Sequence, residues 1–499
     1  MKKAYIINIQ GLLWFFIILL MIPLTGKAQT KEKNQESVSG ILADLTLNTK
    51  TSDISYPAFE KAKMAIIDIL GNSMAGFNAP GISAIRQQEK LWGGKKEATV
   101  WFSGTQLPAP SVGFLNSSMA HALDFDDTHR PSKTHISSVT VPAAFCVGEI
   151  TGASGQEILN AIVVGVEVAN SIGVQYARYR EHLKFLPTSI VGGFGATAIA
   201  CRLMGLSKIQ TMNAFGIFYS QASGNRQALL DRTLTKRIQP GIAVKAAIFS
   251  AFLAKRDITG PKNIFLSEAG LIRIYGCARE SLPNASAFKK KQDEWAIEMM
   301  AFKKYASCGA SHPAIESAIE LSKEYELTLD DINSIELFGI FVGSGMVDVP
   351  WKEAENPHVW AQFCAPYEVV SAIKNKKFGP EEITNKRIEE DKEVDRMARR
   401  VVIKSKNEWE GDYPGGQTVR IQTKDGKTLT ASHTPDEIWE PDAFSMTDIV
   451  NKFIKNSQFA GFCSESQARK IVQSVKNLQG KRNISKFIQK SLIFPKADK

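Results

Sequence analysis

The chain has 499 residues, of which 44% are hydrophobic and 22% are charged. This composition excludes an intrinsically disordered protein, a small disulfide scaffold and a collagen-like fibre. The net charge is +10, but the densest basic stretches, 289–291 and 374–377, are short and are followed by acidic residues. We therefore expect no nucleic-acid partner. The six cysteines are scattered without a CxxC pair, which predicts neither a disulfide framework nor a zinc site.

The first residues have the pattern of an export signal. Lys2 and Lys3 precede an unbroken apolar run, Leu12–Ile22, and small residues stand three and one positions before Gln29. This pattern predicts a signal peptide over 1–28, cleaved after Ala28, and a periplasmic or secreted protein without a membrane association after cleavage. The alternative is an uncleaved anchor, but eleven apolar residues are fewer than the roughly 20 that a spanning helix needs.

The next part of the chain, 38–290, is predicted to be a helical domain. Ser55 can cap a helix opened by Pro57, and we expect Gly71 and Gly76 to break that helix. Later segments are rich in Ala, Gly and Val and are apolar on more than one face, which is typical of central helices in a large bundle. Three such segments are predicted: Gly155–Ile172, Gly192–Met204 and Gly241–Ala254.

The pattern changes near residue 295, and the segment 295–434 is predicted to be an α+β lid domain. Asp425 and Gly426 favour a hairpin, since both residues tolerate positive φ. The residues 435–499 are predicted to be helices that pack back on the helical domain, so that the fold class is mainly α with a smaller inserted α+β domain. The predicted strands are Ser334–Val342, Arg400–Ile403, Thr418–Ile421 and Thr428–Ala431, and the predicted helices of the lid are Pro313–Tyr325 and Tyr367–Lys374.

A first polar stretch, 121–135, contains three histidines and three aspartates. A calcium loop is excluded, since His129 and His135 stand where that loop needs glycine and glutamate, and there is no HExxH zinc motif. We therefore predict no metal. A capped helix terminus would explain some of the aspartates but would leave the histidines without a role.

Two further stretches have residue types that suit a carboxylate substrate. Lys236 and Arg237 precede the predicted helix that begins at Gly241, and cations at a helix amino terminus can hold a carboxylate. Cys308 and His312 could form a nucleophile and base, but no acid that would orient the histidine is identifiable from the sequence.

In these stretches the chain resembles the MmgE/PrpD family, which includes 2-methylcitrate dehydratases, cis-aconitate decarboxylases and some epimerases. The matching residues are His121–His129 with His135, Thr235–Arg237, Pro240–Ala243, Thr259–Pro261, Lys303–Pro313, Ala361–Tyr367 and Asp412–Gly415. The resemblance implies a large helical domain, a smaller lid, a homodimer, a small carboxylate substrate and chemistry without a cofactor in the cleft between the domains.

The resemblance also implies the site residues, which are His135, Asp124, Lys236 and Tyr367 for catalysis and Thr128, Lys303, Arg237 and Cys308 for substrate binding. Histidine titrates near neutral pH and suits acid–base catalysis, while lysines stabilise the charge that develops when a proton leaves the carbon next to a carboxylate. Asp124 and Thr128 would share one face if their segment were helical. Tyr367 could donate a proton to a leaving group.

The chain departs from the family pattern at a few positions. Cys308 stands where the decarboxylases have a histidine, and Gly309 replaces a frequent arginine, which favours dehydration over decarboxylation and makes a tricarboxylate substrate less expected. The sequence thus predicts a periplasmic hydro-lyase acting on a small hydroxy acid. An epimerase or isomerase with the same acid–base site, and a non-catalytic carboxylate-binding homologue, remain the alternatives.

Overall fold

The helices follow from local sequence signals. The computed structural model describes residues 36–278, 281–290, 294–340, 342–494 and 497, so the predicted signal peptide lies outside the described residues. The helices of the amino-terminal part are α1 Val38–Asn48, α2 Tyr56–Gly76, α3 Ile82–Trp92, α4 Ala109–His121, α5 Ser137–Thr151, α6 Gly155–Tyr179, α7 Pro187–Leu203, α8 Lys208–Tyr219, α9 Gln227–Leu230, α10 Thr235–Ala254 and α11 Leu271–Gly276.

The predicted start of α2 is confirmed, since the Ser55 hydroxyl accepts a hydrogen bond from the Ala58 amide at 3.1 Å. The predicted break at Gly71 is wrong, because α2 continues to Gly76. A Cβ at Gly71 would lie only 3.0 Å from the Phe453 ring. The small residue therefore serves the packing of another helix and does not end this one.

The start of α10 also differs from the prediction. The helix begins at Thr235, so Lys236 and Arg237 lie within its first turn and Pro240 lies inside it. A proline this close to the amino terminus removes a single main-chain hydrogen bond. The two cations therefore project from the helix itself.

The central helices are mostly buried. Among the described residues one helix, α6, is long and apolar enough to cross a membrane, and 78% of its most apolar window is buried inside the protein. It packs on α7, and α10 packs on α4 and α7. This part of the fold is therefore a layered helical bundle, as its apolar faces predict.

The later part of the chain combines helices with one four-stranded sheet. Its helices are α12 His312–Glu324, α13 Pro357–Ala361, α14 Ala365–Asn375, α15 Asn385–Glu390, α16 Lys392–Ala398, α17 Pro435–Ile438, α18 Met446–Ala460, α19 Glu465–Lys476 and α20 Ile484–Ser491. The strands of this sheet are β5 Ile332–Phe338, β6 Val402–Lys404, β7 Gln417–Thr423 and β8 Thr428–His433, in the spatial order β6-β5-β7-β8. Outside it, two short strands pair with each other, β1 Ala98–Thr99 and β2 Gln106–Leu107, and so do β3 Thr128–His129 and β4 Met300–Ala301.

The strands β5 and β6 are parallel, whereas β5 pairs antiparallel with β7, and β7 with β8. The predicted hairpin is confirmed, and Gly426 at its turn has φ +91°. Helix α12 packs on α14 and on β7 and β8, while α18 packs on α2. The described residues from 37 onward form one compact unit. Most of its regular structure is helical, so the mainly α class is confirmed. The inserted α+β lid domain and the domain boundaries stay predictions.

Candidate active site

The polar stretch 121–135 forms an irregular loop. Helix α4 ends at His121, and Asp124 has φ +50°, a left-handed conformation that non-glycine residues adopt rarely. The loop contains one of two short strands that pair with each other. They are β3 Thr128–His129 and β4 Met300–Ala301, paired antiparallel. Asp124 and Thr128 therefore do not share a helix face, and the strand pair brings the loop next to Lys303.

Asp124 lies between two lysines. Lys303 donates to its carboxylate Oδ2 and to its main-chain oxygen, each at 2.6 Å, and Lys236 is hydrogen-bonded to Oδ1. All three side chains are buried. Burial by itself would raise the pKa of Asp124, but Lys236 and Lys303 hold that pKa well below its usual range. The carboxylate is therefore ionised and fixes the position of two ammonium groups.

His121 completes one side of this arrangement. Its Nδ1 lies 2.8 Å from the Asp126 carboxylate, and its Nε2 lies 2.8 Å from Lys236 Nζ. A carboxylate accepts and an ammonium donates, so Nδ1 carries the proton and Nε2 carries the lone pair. Burial lowers the pKa of His121 even with Asp126 beside it. The ring is therefore neutral and anchors Lys236.

His135 lies beside these groups, with its ring centroid 5.4 Å from that of His121. Its Nδ1 lies 2.8 Å from the Asp127 main-chain oxygen and 3.2 Å from the Thr128 hydroxyl. A carbonyl can only accept, so Nδ1 carries the proton and the lone pair is on Nε2. Burial, followed by the ammonium of Lys303, lowers the pKa of His135 to about 3.

His135 is partly exposed as a residue, and the described hydrogen bonds of its ring all involve Nδ1. Asp124, Lys236, Lys303, His121, Asp126 and His135 are called the Asp124 cluster below. The structure thus brings together four of the predicted residues, with Thr128 in contact with His135. A neutral imidazole can take up a proton at its lone pair. The buried ammonium groups next to it can stabilise the negative charge that this leaves on a substrate.

Cys308 borders the cluster, since the charges of Asp124 and Lys303 both act on its thiol. Burial raises the pKa of that thiol to about 11, so the thiol form dominates at neutral pH and does not act as a thiolate nucleophile. Its main-chain amide donates to the Gln362 carbonyl at 2.9 Å.

Arg237 is buried and holds protein groups. Its guanidinium donates to the Pro80 carbonyl at 2.9 Å and to the Gln362 side-chain oxygen at 3.2 Å. Gln362 in turn donates to the Ala122 carbonyl at 3.3 Å. Arg237 therefore supports the loop after α4, and its predicted contact with a substrate carboxylate stays a prediction.

Tyr367 lies apart from the Asp124 cluster. It stands in the first turn of α14, its hydroxyl donates to the Glu382 carbonyl at 2.6 Å, and its ring centroid is 4.3 Å from that of Trp351. Burial raises the pKa of this hydroxyl. The structure therefore does not bring Tyr367 together with the other predicted residues, and a proton donation from it to a leaving group has no geometric support.

Sequence reasoning left several buried groups without a role. Asp126 was part of the motif, but its pairing with His121 across five residues needs the loop to fold back. Glu368 follows Tyr367 and is buried, and burial raises the pKa of its carboxyl to about 8. Lys452 occurs on the apolar face of α18, where a lysine at helical spacing from Ile449 was a usable signal.

Among the described residues, no group of three or more His, Cys, Asp and Glu side chains is arranged to hold a metal ion. The histidines of the motif instead bind protein groups, as His129 does through Ser132 at 2.7 Å. Independence of a cofactor stays a prediction.

Comparison with known proteins gives the same family for both parts of the chain. The MmgE/PrpD N-terminal domain matches residues 40–281, and the MmgE/PrpD C-terminal domain matches residues 305–478. The first match contains five of the six residues of the Asp124 cluster, and Lys303 lies two positions before the second match.

Three curated relatives are similar to the chain. The cis-aconitate decarboxylase of Mus musculus is 26% identical over 442 residues, which is 85% of this chain and 86% of the relative. The human cis-aconitate decarboxylase is 27% identical over 296 residues, covering 58% of this chain and 60% of the relative. A cis-aconitate decarboxylase-like protein of Aspergillus oryzae is 24% identical over 323 residues, which is 66% of its length. With both of its domain types matched in order, the chain belongs to the MmgE/PrpD family.

Proposed function

We propose that the chain is a lyase that removes a proton from the carbon next to a carboxylate of a small hydroxy acid and expels water. The observation that carries the proposal is the geometry of His135, a partly exposed residue whose Nδ1 donates to a main-chain carbonyl, so that its lone pair is on Nε2. The charges of Lys303 and Lys236 act on this ring. The family and the decarboxylase relatives support lyase chemistry of the dehydratase or decarboxylase type.

The chemistry follows from these groups. Nε2 of His135 takes the proton, and the electron pair of the C–H bond moves toward the substrate carboxylate, whose growing negative charge is stabilised by Lys236. The adjacent C–O bond then breaks and the double bond forms. The hydroxide that leaves takes the proton back from His135, so that water is released and the imidazole is neutral again. General acid–base catalysis of this kind contributes about 10²–10⁴-fold to a rate.

Decarboxylation is a second candidate, favoured by the names of the curated relatives. In that reaction carbon dioxide leaves first and a protonated group must then deliver a proton to carbon. Because burial and Lys303 lower the pKa of His135 to about 3, the ring is unprotonated at neutral pH and holds no second proton to deliver to carbon. An epimerase or isomerase, which returns the proton to the opposite face, would use the same base.

The test is a panel of small hydroxy acids and unsaturated acids incubated with the purified protein in deuterated water and followed by NMR. We expect loss of water with formation of an alkene. Release of carbon dioxide would favour the decarboxylase, and deuterium incorporation without elimination would favour the epimerase. If no acid were converted or exchanged, the non-catalytic homologue would be the better description.

The matched variants are His135→Gln and His433→Gln. The second histidine is partly exposed and pairs with Glu320 at 2.7 Å. We expect His135→Gln to lower turnover by about 10²–10⁴-fold and His433→Gln to leave it unchanged. Equal turnover of wild type and His135→Gln would contradict the proposal.

The proposal also includes export and a homodimer. The predicted signal peptide can be tested by sequencing the amino terminus of the protein recovered from the periplasm or the medium, where Gln29 is expected to be the first residue. Light scattering coupled to size exclusion is expected to give twice the mass of the mature chain. A monomer would remove the homodimer from the proposal without affecting the chemistry.

A further inference from the structure

The inward face of helix α18 contains polar residues where an apolar face is expected. Ile449, Lys452, Phe453 and Asn456 follow the i, i+3, i+4, i+7 spacing of one helix face, and all four are buried. Burying an ammonium group is costly unless the group is paired and hydrogen-bonded. The partners of Lys452 therefore indicate what this face of the helix holds.

Lys452 reaches the loop that follows Asp124. Its Nζ lies 2.7 Å from the Asp68 carboxylate of α2, donates to the Phe125 carbonyl at 2.8 Å, and stands 3.7 Å from the centroid of the Phe125 ring. The ammonium thus joins three separate parts of the chain, which are α2, α18 and the loop 124–127.

Two asparagines extend the same contact. Asn72 donates to the Phe125 carbonyl at 3.1 Å and to Asp68 at 2.9 Å, while Asn456 of α18 donates to the Asn72 side-chain oxygen at 3.0 Å. The Phe125 carbonyl therefore accepts from two buried side chains.

The loop is held at three carbonyls. Lys303 binds that of Asp124 at 2.6 Å, Lys452 binds that of Phe125, and His135 binds that of Asp127 at 2.8 Å. Asp124 itself has the rare φ of +50°, a conformation that persists when the surroundings determine it. The position of its carboxylate, and of the ammonium groups bound to it, depends on these three carbonyl contacts.

We infer that Lys452 is a positioning residue for the reaction, through which the carboxy-terminal helix fixes the loop 124–127 against His135. This inference rests on the proposed function. A displacement of about 1 Å at a catalytic group, even from a remote change, can lower a rate by about 10²-fold. Lys452 therefore acts on turnover through the loop and not by touching the substrate.

The test compares three variants: Lys452→Met, the control Lys63→Met, and the double variant Asp68→Asn/Lys452→Met. Lys63 is also buried and pairs with Glu60 on its own helix at 2.7 Å. The double variant removes both charges, so that no unpaired carboxylate remains. For each, the measurements are kcat, KM, the melting temperature and hydrogen–deuterium exchange of the peptide that contains residues 121–130.

We expect Lys452→Met to lower kcat by about 10–100-fold with KM changed less than about 3-fold, and to speed exchange of the 121–130 peptide below the melting temperature. The double variant is expected to recover thermal stability but not kcat. Lys63→Met is expected to leave kcat and the exchange of that peptide as in the wild type.

The inference is overturned if the double variant recovers kcat, or if Lys452→Met lowers only the melting temperature while the loop exchanges at the wild-type rate. If Lys452→Met does not fold, the double variant decides on the same measurements. If the wild type converts no acid, the proposed function fails, and the exchange of the 121–130 peptide alone then supports or overturns the positioning of the loop.

Discussion

The two histidines of the Asp124 cluster are neutral for the same reason but are oriented differently. Each uses Nδ1 to donate, His121 to a carboxylate and His135 to a main-chain carbonyl. The lone pair of His121 accepts a hydrogen bond from Lys236, whereas no described hydrogen bond goes to Nε2 of His135. This difference separates an anchoring histidine from one that can exchange a proton with a ligand.

Asp127 gives a prediction for the pH dependence of stability. Its carboxyl is buried, accepts from the Ser137 amide at 3.2 Å and has a pKa raised to about 8 by burial. The ordinary value in an unfolded chain is about 3.9. The folded state thus binds this proton more tightly, and the resulting stabilisation is complete below pH 4, falls as the pH rises and is absent above pH 8.

We therefore expect the wild type to lose stability relative to Asp127→Asn between pH 5 and pH 8, by up to about 1.4 kcal/mol per pH unit. The asparagine keeps a side-chain oxygen for the Ser137 amide but has no proton to lose. Urea unfolding of both proteins at pH 5, 6, 7 and 8 measures the difference. Parallel curves would mean that Asp127 is ionised in the folded state.

At the scale of the elements, the site depends on how closely α4 and α10 approach. A Cβ added to Gly241 of α10 would lie 2.3 Å from the Ser118 hydroxyl and 2.4 Å from the Phe114 carbonyl of α4. The same two helices carry the paired His121 and Lys236, which are 2.8 Å apart. The glycine is therefore what allows these two side chains to meet.

We expect Gly241→Ala to force the two helices apart and to lower the free energy of unfolding by about 1–3 kcal/mol, the usual cost of overpacking. Activity is expected to fall as well, because the displacement separates Lys236 from His121. Gly480→Ala is the control, since a Cβ there meets no atom within 4 Å. Chemical unfolding and turnover measure both effects, and a variant as stable and active as the control would contradict the argument.

The elements themselves could largely be predicted from the sequence, because capping, periodicity and turn chemistry are local. Ser55, the Asp425–Gly426 turn and the α12 and α14 segments are examples. The prediction failed where contacts with a distant element determine the local structure. Gly71 accommodates Phe453 from 382 positions further along the chain. The shared helix face that Asp124 and Thr128 would have in a helical segment is absent, because the segment is a loop that Lys303 and Lys452 hold from other elements.

The residues of the candidate site, too, could be predicted only in part from the sequence. The motif and the family resemblance supplied Asp124, His135, Lys236 and Lys303, which the fold does bring together. They could not show that Tyr367 faces Glu382, since the orientation of a side chain on a helix depends on what packs around it. The same limit left Asp126, Glu368 and Lys452 without a role.

At the scale of the whole molecule, the charges around the cluster do not cancel. Lys236, Lys303 and Arg237 are buried, and the nearby carboxyls of Asp124 and Asp126 have pKa values lowered from the usual range by the charges around them. The buried pair of Asp68 and Lys452 adds no net charge. The pKa of Asp127 is raised to about 8 and the pKa values of the two histidines are lowered, so these three side chains are mainly neutral at pH 7. Three positive charges against two negative charges leave a local excess of one.

A buried excess of positive charge favours an anionic ligand, and Arg237 is the cation whose described hydrogen bonds go only to neutral groups. We therefore expect Arg237→Gln to weaken binding of a small carboxylate by about 10-fold, with little change for the corresponding neutral amide. A 10-fold change corresponds to about 1.4 kcal/mol, which is a modest loss for one charge in a buried site. Arg202→Gln is the matched control, because the described hydrogen bonds of Arg202 also go to neutral groups, the main-chain carbonyls of Thr46 and Thr49. Calorimetric titration with an acid and its amide at two salt concentrations measures the effect, which should be smaller at the higher one. An equal loss for acid and amide would show that Arg237 acts through the shape of the loop and not through its charge.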